Sequence, residues 1–124
     1  MLMDTNGNTK ELLIKDLSSR LPYDVKVLYD NKVFSIDYVS SIYEEIKLDT
    51  CDNYTLDVSD VKPYLFPLSS MTEEEKLMYE GLMIGIDNIS YMLDVIDWLN
   101  SHHFDYRGLI EKGLAIDATG LNIY

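Results

Sequence analysis

A chain of 124 residues, 47% of them apolar, suits one domain with one core and is too apolar to be disordered. Its 22 acids against ten Lys and Arg leave a net charge of −12, which argues against binding nucleic acid through its phosphates, since that depends on cations releasing counterions. The acid is evenly spread, with 12 acids and 7 bases in 1–62 and 10 acids and 3 bases in 63–124, as a solvated surface would have it; ordered carboxylate rows mimicking DNA are the sharper alternative.

The single cysteine, Cys51, can form no internal disulfide and suits a reducing compartment. The stretch MLMDTNGNTKELL has no basic region followed by a long apolar one, so no secretory signal is expected. Even the longest uncharged run, 63–72, is far too short to span a bilayer, and a cytoplasmic setting is expected.

In chain order, residues 1–7 are expected to form a flexible tail. Asn8 with Glu11 resembles a capping box, and Leu13, Leu17 and Leu21 with Ile14 make an apolar helical stripe that Pro22 stops, giving a helix over 9–20. The period then falls to two. Val25, Val27 and Tyr29 share one strand face, Asp30, Asn31 and Lys32 turn, and Phe34, Ile36 and Tyr38 share the next face. Ile42, Ile46 and Leu48 continue the alternation, and Tyr54, Leu56 and Val58 suggest a fourth strand beyond a polar turn holding Cys51. Short polar connections favour an antiparallel meander. Residues 61–68 contain Pro63 and Pro67, each lacking a ladder donor, so an edge segment or strap is expected there.

Thr72 followed by three glutamates is the strongest helix start, with Glu75 closing a capping box. Leu77, Met78, Leu82 and Met83 or Ile86 are expected to face the core. Gly81 and Gly85 permit either close packing or an early end. A second start at 87–90 leads into the stripe Met92, Val95, Ile96 and Leu99. Asp105 is placed to cap a last short helix that Gly113 ends. The expected fold is therefore a single α+β domain over 1–124. It has an N-terminal helix, a small antiparallel sheet of three to five strands, and two to three C-terminal helices packed on it.

Residues 94–110, DVIDWLNSHHFDYRGLI, gather the only Trp, both His and the only Arg of the C-terminal half. Adjacent His102 and His103 point in different directions on a helix, whereas helical metal ligands recur at three or four residues. Asp94 and His102, two turns apart, are the residues a metal would use. The simpler role for the histidines is to satisfy free carbonyls at a helix C-terminus. Arg107 in the first turn of a helix opposes the dipole. It is expected to pair with Asp105 or a distant acid, or else to clamp an anion beside Trp98, His103 and Tyr106. Catalytic signatures are lacking: there is no GxSxG, Walker loop, GxGxxG or HExxH. Cys51 between Asp49 and Asp52 is a poor nucleophile. The ten tyrosines suit half-buried sheet faces and interaction surfaces.

The segments KELLIKDLSSRLPYDVKV (10–27), DVKPYLFPLSSMTEEEK (60–76) and DWLNSHHFDYRGLIEKGLAID (97–117) resemble a group of small proteins common in phages and mobile elements of gut Bacteroides; 28–59 lies outside the likeness. That group has no assigned activity, so the resemblance implies a setting, that of accessory proteins acting on host defence in the host cytoplasm. The expected function is non-enzymatic binding with no cofactor. The expected surface is Trp98, His102, His103, Asp105, Tyr106, Arg107 and Tyr64, and the expected partner is a host protein. The alternatives are a protein sequestering a small phosphorylated nucleotide, a small metal-dependent hydrolase, and a DNA mimic. A homo-oligomer is compatible with all of them, and membrane attachment with none.

Overall fold

The computed structural model describes residues 6–50, 54–85 and 87–124, with side chains from residue 9 onward. Cys51 and Ile86 lie outside the described residues, as does most of the expected tail. Helix α1, Asn6–Arg20, is already helical at Asn6, so Asn8 falls inside it rather than capping it at 9. Its leucine stripe behaves as the spacing requires: Leu13, Ile14 and Leu17 are buried. Pro22 ends α1, and the chain continues through one 3-10 turn, Leu21–Tyr23.

Strands β1, Lys26–Tyr29, and β2, Lys32–Ser40, form a hairpin closed by Asp30 and Asn31, both at positive φ, as a tight two-residue loop demands. The shared face expected for Phe34, Ile36 and Tyr38 breaks at a bulge between Ile36 and Tyr38 against β3, Glu45–Leu48. One extra residue inverts the alternation. Tyr38 faces outward under the Lys47 ammonium, and Val39 packs against the core in its place. Ile42 lies exposed in the connecting turn, Ile46 is fully buried, and the fourth strand shrinks to β4, Leu56–Asp57. Tyr54 is exposed, and Val58 enters the core from a 3-10 turn, Val58–Asp60.

The proline-bearing segment is not a strap. Strand β5, Lys62–Pro67, is internal, antiparallel to β1 and parallel to β6, Phe104–Asp105, and to β7, Ile116–Asp117. The sheet is thus mixed, in the order β4-β3-β2-β1-β5-β6 with β7 also on β5. The prolines are tolerated because of their parity. The Phe66 N–H donates to the His103 carbonyl and the Leu65 carbonyl accepts from Ala118 N–H, so successive residues address opposite edges. Pro63 and Pro67 share Leu65's parity, and their missing donors therefore face away from β1 and β6.

Helix α2, Glu73–Met83, starts with the expected capping box, Thr72 Oγ1 accepting from Glu75 N–H at 3.1 Å and Glu75 Oε1 from Thr72 N–H at 2.8 Å. Helix α3, Ile89–Ser101, is capped by Asn88. Gly85 serves the close approach between them, since a Cβ there would meet the Tyr91 ring at 2.8 Å. The expected third helix does not form. Residues 109–113 make a single turn whose amides at Leu109 and Ile110 are held by the Asp105 carboxylate. Gly113, at φ +74, closes it with the paired bonds Gly113 N–H to Ile110 O and Leu114 N–H to Leu109 O. Among the described residues no helix is long and apolar enough to cross a membrane.

The core lies in three clusters, the smallest of them Leu65 of β5 with Leu109 and Ala115. Leu13, Leu17, Val25, Val27, Ile46 and Val58 fill the space between α1 and β1–β4. Met71, Val95, Leu99 and Phe104 anchor the α2–α3 hairpin. Each fully buried aliphatic side chain in these clusters contributes about 1.5–3 kcal/mol by leaving water.

Candidate functional site

Of the six residues expected to form a surface in 94–110, five divide between an inner side and an outer stack, and His103 lies apart from both. The inner network starts on α1. Asp16 and Arg20 have no solvent exposure, and their sequence spacing gives the reason. Leu13, Asp16, Leu17 and Arg20 fall at i, i+3, i+4 and i+7, on the one face that α1 buries. Charges this deep must be paired. Asp16 Oδ2 accepts from Arg20 Nε at 2.9 Å, and Oδ1 accepts from Arg107 Nη1 at 3.0 Å. Arg20 Nη2 also donates to the Phe104 carbonyl at 2.7 Å. Arg107 thus takes a distant acid, 91 residues away, instead of Asp105.

Tyr106 completes the network. Its hydroxyl accepts from Arg107 Nη1 and donates to Asn100 Oδ1, and its ring lies 4.7 Å from the Arg107 guanidinium carbon and 5.2 Å from that of Arg20. The ring face is favourable for both cations, one anionic partner being shared between them. Arg20 Nη1 has no hydrogen-bond partner among the described residues. Asp105, buried, spends both carboxylate oxygens on the turn at 109–110. Arg107 and Tyr106 are therefore held inward by each other and by α1, and Asp105 by the turn that follows it. The shallow depression beside Tyr106 is lined by Asp105, Glu111 and Ser69, an acidic wall that repels a phosphate.

Trp98 and His102 form the outer part. His102 follows the last turn of α3, its Nδ1 2.9 Å from the Trp98 carbonyl, which is the helix-ending role expected of it. Its ring stacks on Trp98 at 4.4 Å, and Trp98 stacks in turn on Phe104 at 5.6 Å. His103 turns the other way. At φ +63 it reverses the chain into β6 and is buried, with its ring 3.6 Å from that of Tyr124. Burial, with the Arg20 guanidinium adding to it, pushes His103 down to about 4. Tyr64 is far from this group in role: it is buried in β5, where its carbonyl accepts from the Tyr124 hydroxyl.

Asp94 and His102, eight residues apart along α3, are separated by about 12 Å of helix rise and cannot share one ion. Among the described residues no three His, Cys, Asp or Glu side chains stand close enough together to hold a metal. No family model matches the chain, nor does any curated protein or solved structure.

A different surface stands out, and the sequence pattern assigns part of it to the core. Leu82 and Met83 pack inward as expected, but Tyr79 takes the inward place expected for Leu77 and Met78, which are left 70% and 56% exposed. On α3, Val95 and Leu99 are buried, while Ile89 is 74% and Leu93 61% exposed. Eight of the thirteen residues of α3 are apolar or aromatic, more than its one buried face requires. Around them are seven acids of 73–101 (Glu73, Glu74, Glu75, Glu80, Asp87, Asp94 and Asp97) against Lys76 alone, a net of −6.

Proposed function

We propose that this chain is a non-enzymatic binding protein that docks a protein partner on its α2–α3 hairpin. The observation that carries this reading is the exposed apolar surface at helical spacing, Leu77 and Ile84 on one side of the turn and Ile89, Leu93 and Ile96 on the other. Isolated exposed apolar residues are ordinary, but stripes of them on paired helices mark an interaction surface. In the setting implied by the sequence resemblance, the partner is a host protein of the cytoplasm, and the acidic rim selects one with a basic border. The same rim opposes apposing two copies of the hairpin, which carry −6 each.

The test is affinity capture from bacterial lysate with the wild type and with a Leu77→Ser/Leu93→Ser chain, quantified by mass spectrometry. A protein retained by the wild type and lost with the double substitution supports the hairpin surface. Equal retention by both chains sinks it. Salt sensitivity of the captured complex measures the contribution of the acidic rim.

A further inference from the structure

The β1–β5 ladder is finished by a side chain. Backbone register pairs Leu28 with Lys62 and Val27 with Pro63, so Lys26 and Tyr64 would form the next rung. There the Tyr124 hydroxyl stands in between. It accepts from Lys26 N–H at 2.9 Å and donates to the Tyr64 carbonyl at 2.8 Å. The ring is held by His103, nearly parallel at 3.6 Å, and by Phe66 at 5.9 Å in a tilted contact. One donor, one acceptor and two aromatic walls thus surround a single phenol.

The segment that brings Tyr124 there is otherwise loosely attached. Residues 119–122 are exposed, Ile123 is half-buried, and the turn is built on Gly120 and Asn122 at positive φ. Tyr124 itself remains 43% exposed while its hydroxyl reaches the ladder. The slot therefore recognises the side chain and leaves the backbone of its occupant outside.

We propose that this gap in the sheet is a binding slot for a 4-hydroxyphenyl group, filled by Tyr124 as a tethered occupant and open to exchange with a phenol supplied in trans. The slot favours phenol over phenyl, because a ring without a hydroxyl takes from both the Lys26 N–H and the part-buried Tyr64 carbonyl the group that bridges them. Burial pushes the Tyr124 phenol up, which keeps its proton in place for donation to Tyr64. The neutral His103 ring offers a stacking face without a charge to solvate.

The experiment compares the wild type, Tyr124→Ala and Tyr124→Phe by calorimetry and by NMR of the His103 ring, with N-acetyl-tyrosinamide, N-acetyl-phenylalaninamide and 4-methylphenol as probes. The Ala chain should bind the tyrosine amide saturably, shift the His103 signals, and bind the phenylalanine amide at least about tenfold more weakly. The wild type should need far more probe, since the tethered ring competes at an effective concentration in the millimolar range. Equal affinity for 4-methylphenol and the tyrosine amide assigns the slot to free phenols; tighter binding of the amide assigns it to a tyrosine of a polypeptide. No binding to a folded Ala chain, or equal affinity for the Tyr and Phe amides, overturns the proposal. Should the Ala chain fail to fold, the Tyr124→Phe chain decides. The tyrosine amide must displace its tethered phenyl ring at lower concentration than it displaces the native phenol, and failure to do so overturns the proposal.

Discussion

Around Asp16, a carboxylate and a guanidinium are folded fully inside with a second guanidinium and a tyrosine half-buried beside them, whereas on the 73–101 hairpin leucines, isoleucines and methionines are left in water. Each region inverts the ordinary partition of polar and apolar groups. At the inner region the inversion is compensated by pairing, because Asp16 serves both arginines and Tyr106 lies against both. It fastens α1 to the segment after α3, which sequence proximity could not do. At the hairpin no group within the described chain covers the apolar side chains. The first inversion is explained by the fold, and the second calls for a partner.

The largest effect is expected where the inner pairing is broken. Asp16→Ala leaves two buried or half-buried cations facing each other and should cost about 3–5 kcal/mol, read as a shift in denaturant midpoint. A loss below about 1 kcal/mol would show that Arg20 and Arg107 find other partners, and the network would lose its claim to hold the halves together.

His103 sharpens the comparison through pH. Its folded pKa of about 4 lies below the ordinary 6.5, so between these values the unfolded chain binds the extra proton. Stability should rise as pH goes from about 4 to 6.5 and be lost on acidification across the same window, by roughly 2–3 kcal/mol. Arg20 and Lys26 lower its proton affinity further, and Asp24 opposes them. Urea melts of the wild type and His103→Gln at pH 4 and 7 separate this contribution from the carboxylates; parallel pH dependence in the two chains would rule it out. A smaller loss is expected for Tyr106→Phe, which removes the hydroxyl between Asn100 and Arg107: about 1–2 kcal/mol, with the ring stacking retained.

Much of the fold is legible in the sequence because local chemistry and global packing agree. The α1 stripe, the Asp30-Asn31 turn and the Thr72 capping box all form as their residues require. The failures are physical. A bulge costs one residue and reverses a strand's faces, which no period-two pattern announces at Tyr38. The prolines of β5 disqualify an inner strand only when donor loss is counted without its direction. At the candidate site, Asp16 and Arg20 are visible as charges on the buried face of α1, a signal that a leucine count passes over. Their partner Arg107 cannot be assigned from sequence, since 91 residues separate it from Asp16. Nor can the rotation of α2, where Leu77 and Tyr79 are both plausible inward residues and packing alone selects Tyr79.

The smallest effect on stability should come from the hairpin, and its smallness is the point. Leu77→Ser and Leu93→Ser remove apolar side chains that are 70% and 61% exposed, so little transfer free energy is lost on folding. Each should change stability by no more than about 0.5 kcal/mol, in contrast to the several kcal/mol expected at Asp16. A loss of about 2 kcal/mol or more would mean that these side chains are covered within the chain itself, by a packing that closes the hairpin face. Unchanged folding with abolished partner capture would separate the two inversions cleanly, since residues that contribute nothing to the fold have no structural reason to be apolar on a hairpin carrying a charge of −6.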